Sequence, residues 1–244
     1  MRVRLLIAYD GTAYAGWQIQ PNGVTIQETL ERAIRQITGE TVKVHGSGRT
    51  DQGVHAWGQV AHFDLSRSWE ANALLKGFNA ILPPDIRVRA VYRAPMTFHA
   101  RRSARWKEYR YFIWNGPVLP PHRRLYCLHV PRPLDRTAMR SAAELLIGQH
   151  NFAAFSANPD RPVESTIRNL FQLQIKGRGA ELCIIARADG FLYKMARSLV
   201  GHLIRVGVGE VAPETTREIL ASRERTARVP TAPPQGLFLW HVAF

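Results

Sequence analysis

Two hydrophobic periods alternate along this chain, and that alternation constrains the fold more than any other feature. Residues 2–9 carry Val3, Leu5, Ile7 and Tyr9 at every second position, the pattern of a half-buried strand. Behind Thr25-Ile26-Gln27-Glu28, a capping-box pattern, Ile26, Leu30, Ala33, Ile34 and Ile37 hold helical spacing. A second helix is expected over 68–82, with Leu74, Leu75, Phe78, Ile81 and Leu82 inward and Pro83-Pro84 stopping it. Strands are expected at 57–65 and 86–93. The mixture then recurs. A strand is expected over 106–114 and a helix near 135–147 capped by Asp135. Strands at 167–176 and 180–188 flank the turn Lys176-Gly177-Arg178-Gly179. A long helix is expected over 191–208, a short one opened by Pro213, and a strand over 237–243. Residues 156–164 read as a loop.

Each half thus mixes several strands with two helices, which predicts an α+β fold with helices packed on one face of the sheets. A length of 244 residues suits one large domain or two small ones. A basic connector at 94–105, with Arg101, Arg102 and Arg105, places the expected boundary between halves of 1–104 and 105–244.

The charge balance narrows the partner. Thirty-three Lys and Arg against 19 Asp and Glu give a net charge of +14. A surplus of that size repels itself unless a polyanion shares it, which puts nucleic acid ahead of an anionic membrane surface or a merely basic enzyme. The basic groups are scattered over the chain rather than gathered in a tail, as suits a folded body that reads a shaped RNA through its phosphates. Cys127 and Cys183 are the two cysteines and form no CxxC pair, so zinc knuckles and thioredoxin chemistry are excluded. No apolar run approaches the ~18 residues of a membrane span, and the first ten residues are too interrupted for a signal segment, so a cytoplasmic chain is expected.

Three segments carry candidate chemistry. The first is Gly46-Ser47-Gly48-Arg49-Thr50-Asp51-Gln52-Gly53-Val54-His55-Ala56. Its glycines permit a tight backbone. Asp51 is its one carboxylate, and Arg49 two residues earlier favours the ionised form, suited to a nucleophile or a general base. Spacing alone leaves Asp51 open between that role and an ordinary Asx-turn. No GxxxxGK[ST] or GxGxxG fingerprint follows a strand, and no GxSxG is present. His45, His55 and His62 match no strong metal-ligand spacing.

The second segment is Arg105-Trp106-Lys107-Glu108-Tyr109-Arg110-Tyr111-Phe112-Ile113-Trp114. As a strand it sets Tyr109, Tyr111 and Ile113 on one face and Arg110, Phe112 and Trp114 on the other. An aromatic on a basic sheet is a platform for an extruded base, and equally an ordinary core residue. The third is Gly190-Phe191-Leu192-Tyr193-Lys194-Met195-Ala196-Arg197. Its apolar stripe reads as core, and Lys194, Arg197 and Arg205 lie beside it at a helix start suited to an anion, or on a solvated face.

Together these segments resemble the tRNA pseudouridine synthase A family. Ala8-Tyr9-Asp10-Gly11-Thr12 with Gly16-Trp17-Gln18 and Gln20-Pro21 is similar to its N-terminal signature, and Gly48-Arg49-Thr50-Asp51 to its catalytic motif. Lys107-Glu108-Tyr109-Arg110-Tyr111, Phe191 to Arg197 and Gly236-Leu237-Phe238-Leu239 are similar to its later motifs, in order along nearly the whole chain. Lys194 and Ser198, and Tyr14 where phenylalanine is common, depart from the family pattern.

The resemblance implies two ferredoxin-like halves forming a continuous, mixed, mostly antiparallel sheet with helices on one face and a central basic cleft. It implies isomerisation of uridine to pseudouridine at tRNA positions 38, 39 and 40 in the anticodon arm, by a homodimer, with no cofactor and no metal. By motif, Asp51 matches the catalytic aspartate and Tyr109 the tyrosine that stacks on the target base. Arg197 matches the basic residue that pairs with the aspartate, and Arg49 the arginine implicated in base flipping. Other classes remain beside this one: a non-catalytic RNA-binding module, a synthase for other RNA, and a metal-dependent nuclease.

Overall fold

The computed structural model describes residues 1–157 and 163–244, and the centre of the loop expected at 156–164 lies outside them. The fold class is α+β, as the alternation of periods predicts. The chain divides into two compact units, 1–105 with 238–244, and 106–237.

In the first unit, β1 (Arg2–Tyr9) buries Val3, Leu5, Ile7 and Tyr9 and leaves the alternate residues half-exposed. Helix α1 (Ile26–Thr38) begins where the capping pattern sets it, with the Thr25 side chain accepting from the Glu28 amide. Such a cap is worth about 1 kcal/mol. A two-residue strand, β2 (His45–Gly46), precedes the candidate loop, and β3 (His55–Asp64) follows it. Helix α2 (Ala71–Ile81) starts three residues later than expected, behind Glu70, and β4 (Ile86–Ala94) follows Pro83-Pro84. β1 pairs antiparallel with both β3 and β4, and β2 antiparallel with β3. Phe63 of β3 meets Phe78 of α2 edge-on at 6.3 Å, so α2 packs on the face that carries Leu5 and Ile7.

The second unit opens with β5 (Trp106–Trp114), then β6 (Leu128–His129) and α3 (Arg136–Glu144), which is capped by Asp135 accepting from two amides. β7 (Gly148–Asn151), β8 (Ile167–Lys176) and β9 (Glu181–Ala188) follow. β5 and β8 both pair antiparallel with β9, β7 antiparallel with β8, and β6 parallel with β5. Helices α4 (Met195–Gly207) and α5 (Thr215–Ser222) complete this unit. The helix expected over 191–208 therefore starts four residues late. Lys194 holds a left-handed φ of 58°, and the Met195 amide closes a turn onto the Leu192 carbonyl.

The last strand, β10 (Leu237–Ala243), pairs parallel with β3 through Phe238 and Leu239. Residues 238–244 thus belong with the first unit, a return that a boundary drawn along the sequence does not anticipate.

Candidate active site

In the first unit, the loop between β2 and β3 is fixed from three directions. The Ser47 amide donates to the Val60 carbonyl at 2.8 Å, extending the β2–β3 ladder. The fully buried Gln59 amide then clamps the loop entry. Its oxygen accepts from the Ser47 hydroxyl at 2.8 Å and its nitrogen donates to the Gly48 carbonyl at 2.7 Å. Gly46 leaves no room for a side chain: a Cβ there would stand 2.6 Å from the Trp17 indole.

Thr50 is gripped on both sides. Its hydroxyl pairs with the Tyr9 hydroxyl at 2.8 Å, and its carbonyl accepts from the Trp17 amide at 3.0 Å. Burial pushes the Tyr9 phenol up, so it remains a neutral hydroxyl in this pair. The Val54 amide donates to the Asp51 carbonyl at 3.1 Å and turns the chain into β3. Asp51 thus sits between an anchored residue and a closed turn, half-buried, with Arg49 exposed two residues before it.

In the second unit, Tyr109 lies on the inward face of β5 with Tyr111 and Ile113, as the period of two requires. It is 8% exposed and packs edge-on against Phe191 with centroids 4.8 Å apart. Phe191 stands in the segment leading into α4, so the structure brings Tyr109 to the approach of the helix that carries Arg197. Arg197 is in the first turn of α4, and its Nε donates to the Ala232 carbonyl at 2.7 Å. Asp51 and Arg49 belong to the first unit, Tyr109 and Arg197 to the second.

On the opposite face of β5, Glu108 is buried between two arginines. Arg110 Nε donates to one carboxylate oxygen and Arg187 to the other, each at 2.8 Å. Burial alone would push the Glu108 carboxyl up, but the two guanidinium bonds outweigh it and hold the group below the usual carboxylate range.

Of the histidines considered as ligands, His55 stands apart from His45 and His62. His55 is buried beside Asp10 and stacks on Phe238 at 4.5 Å. His45, His62 and His99 cluster with ring centroids 4.7 to 5.7 Å apart. Among the described residues, no three His, Cys, Asp or Glu side chains are arranged to hold a metal ion. Among the same residues, no helix is long and apolar enough to cross a membrane.

The sequence profile described as tRNA pseudouridine synthase matches residues 5–101 and 142–244, which takes in the Asp51 loop and the Arg197 helix. The chain belongs to the tRNA pseudouridine synthase family, a family of isomerases. It is 43% identical over 243 residues to the tRNA pseudouridine synthase A of Brevibacillus brevis, covering 100% of this chain and 99% of that one. It is 44% identical to that of Chlamydia abortus, covering 100% and 91%, and 46% identical to that of Chlamydia pneumoniae, covering 100% and 92%. A crystal structure of a Cbf5–Nop10–Gar1 complex aligns with a TM-score of 0.36 at 14% identity, over 83% of this chain and 45% of that one.

Sequence reasoning missed the residues that hold this family's motif in place here. Gln59 reads as an ordinary strand residue, and Thr50 and Tyr9, although they stand within the matching motifs, carry no sign in sequence that their hydroxyls pair. In the segment 225–236, which touches both α4 and β5, Arg225 and Arg228 read only as two of the scattered basic groups.

Proposed function

We propose that this chain converts uridine to pseudouridine in the anticodon arm of tRNA, at tRNA positions 38, 39 and 40, without a cofactor or metal. It works in the cytoplasm as a homodimer. What carries this reading is the full-length similarity to synthases of that name, in a chain of net charge +14 whose matching aspartate lies in a firmly held loop.

The chemistry fits the residue types. The C1′–N1 bond breaks, the uracil turns over, C5 bonds to C1′, and the C5 hydrogen leaves as a proton. Asp51 supplies a carboxylate, either attacking C1′ or removing a sugar proton in a glycal route. Arg197 stands where the family's motif has the basic residue that pairs with that carboxylate. The target base must leave its stack at a cost of a few kcal/mol. Tyr109 offsets part of that cost by stacking on the uracil, and Arg49 by filling the space it vacates. Because the product is an isomer, the balance needs no oxidant, reductant or phosphate donor.

The test is tritium release from tRNA labelled at C5 of uridine, with binding measured in parallel. Wild type should release tritium, and Asp51→Ala should bind tRNA without release. Tight binding by wild type with no release would leave an RNA-binding module in place of an enzyme.

A further inference from the structure

The segment after α5 lies across the second unit as a strap, and it meets α4 at the turn that carries Arg197. Residues 197 and 232 exchange two bonds. The Arg197 Nε donates to the Ala232 carbonyl at 2.7 Å, and the Ala232 amide donates to the Arg197 carbonyl at 3.0 Å. One turn further on, the strap backbone presses directly on the helix: a Cβ on Gly201 would stand 2.1 Å from the Pro230 carbonyl oxygen. Beyond it, the Tyr111 hydroxyl donates to the Pro233 carbonyl at 2.8 Å. The strap therefore holds the Nε side of the Arg197 guanidinium and the backbone that carries it.

Arg205 of α4 donates to the Arg228 carbonyl at 3.0 Å, and one side chain of the strap itself reaches back to the first turn of the helix. Arg225 donates from one terminal nitrogen to the Ser198 hydroxyl and from the other to the Thr231 hydroxyl, each at 2.7 Å. Ser198 is fully buried and its hydroxyl donates to the Lys194 carbonyl at 3.0 Å, closing the first turn of α4. Arg225 thus spans from the residue after Arg197 to the residue before Ala232. Its two partners are neutral hydroxyls, and burial lowers the guanidinium below its ordinary value, an unusual use of a charge on a surface rich in arginine.

We propose that Arg225 is a positioning residue: it fixes the strap against α4 so that the Ala232 carbonyl aims the Arg197 guanidinium. The inference rests on the proposed role of Arg197 in uridine isomerisation.

Two measurements decide it. The first is single-turnover tritium release, with tRNA affinity measured at several salt concentrations. Arg225→Ala should lower the rate about 10- to 100-fold, the scale of a misaimed catalytic group, with affinity within about twofold. Arg225→Lys should recover part of the loss. In an Arg197→Lys background, Arg225→Ala should cost less than about twofold, because the group it positions is already gone. Equal losses in both backgrounds would overturn the proposal. So would a loss confined to affinity with a shallower salt dependence, the mark of a phosphate contact.

The second measurement follows the Arg197 Nε–H by NMR in the free protein. Its exchange should be slow in wild type and fast in Arg225→Ala, with circular dichroism unchanged. Unchanged Nε–H protection would overturn the proposal whatever the kinetics show. A wild type that releases no tritium would overturn the functional reading instead, and the Arg197 signal would still decide whether Arg225 positions it.

Discussion

The Asp51 loop and the Arg197 turn are held by different means. Asp51 is fixed by its own neighbourhood in sequence: Gln59, Val60 and Ser47 all lie within a dozen residues, and Tyr9 and Trp17 come from the adjoining strand and turn. The bonds are neutral, and those of Tyr9 with Thr50 and Ser47 with Gln59 are buried. Arg197 is held by a segment that begins 28 residues downstream, through a backbone carbonyl and a second arginine. A rigid loop that presents a carboxylate is thus a local construction, whereas the turn that carries Arg197 depends on long-range closure of the chain. A fault in the loop should damage chemistry at once. A fault in the strap should act through geometry.

The largest effect expected is at Asp51 itself. Asp51→Asn keeps the size and turn geometry but removes the charge. Its rate of tritium release should fall by about 10³-fold or more, with tRNA affinity and melting temperature close to wild type. A fall below tenfold would remove Asp51 from the chemistry and leave it an Asx-turn residue.

The next pair sets the two anchors side by side. Gln59→Leu strips both side-chain bonds from the loop entry and leaves the Ser47 and Gly48 groups without their partner. It should cost about 1–3 kcal/mol in urea unfolding. Gly201→Ala drives a methyl group into the Pro230 carbonyl and should cost a similar 1–3 kcal/mol. Both should slow tritium release about 10- to 100-fold through displaced groups. The contrast lies in rescue: adding Arg225→Ala should barely worsen Gly201→Ala but should multiply the defect of Gln59→Leu. Equal compounding in both would mean that strap and loop are not separate devices.

Each unit also buries a histidine that resists protonation. His62 is held down to about 4, first by burial and then by His99, Arg2 and His45 nearby. His202 is held down to about 4 by burial, with a smaller contribution from Arg205. Its Nε2 pairs with Thr216 at 2.8 Å. A folded value below the unfolded 6.5 means that the unfolded chain takes the proton first. Stability is therefore full above pH 6.5 and is lost as pH falls towards 4, by up to about 3 kcal/mol for His202 and by less for His62, whose charged neighbours are screened by solvent. Urea unfolding from pH 7 to 4.5 should show this loss, and His202→Gln should reduce it. The His62 share should weaken more in high salt, because several charged neighbours contribute to it, than the His202 share, to which Arg205 alone adds a smaller part. Stability independent of pH over that range would mean that both rings are solvated.

Much of this architecture was legible because period and burial agree. Residues 2–9, 106–114, 167–176 and 181–188 alternate in sequence and emerge as strands, and Thr25 and Asp135 cap the helices they precede. The strands at 45–46, 128–129 and 148–151 are too short to show a period and were invisible. The candidate residues were legible as a motif, but their supports were not. Gln59 alternates like any strand residue, and nothing local in Arg225 or Ala232 announces a partner on a helix far behind them.

The late start of α4 shows the same limit on a single residue and yields the smallest effect. Helical spacing runs back through residue 191, yet Lys194 adopts φ 58° and ψ 7°, where a Cβ meets the following carbonyl oxygen. What holds it there is packing on either side: Leu192 is buried, Phe191 lies against Tyr109, and Met195 is fully enclosed. Lys194→Gly removes the clash but gives the unfolded chain more freedom, so the two terms nearly cancel. The net change should be a gain below about 1 kcal/mol. The ammonium lost from the exposed Tyr193 ring, 4.9 Å away, subtracts only a few tenths from it. Lys194→Val, whose branched Cβ tolerates this conformation least, should cost about 1–2 kcal/mol and blur the first turn that carries Arg197. If valine were tolerated as well as glycine, residue 194 would be helical, α4 would begin near 191, and Phe191 would turn away from Tyr109.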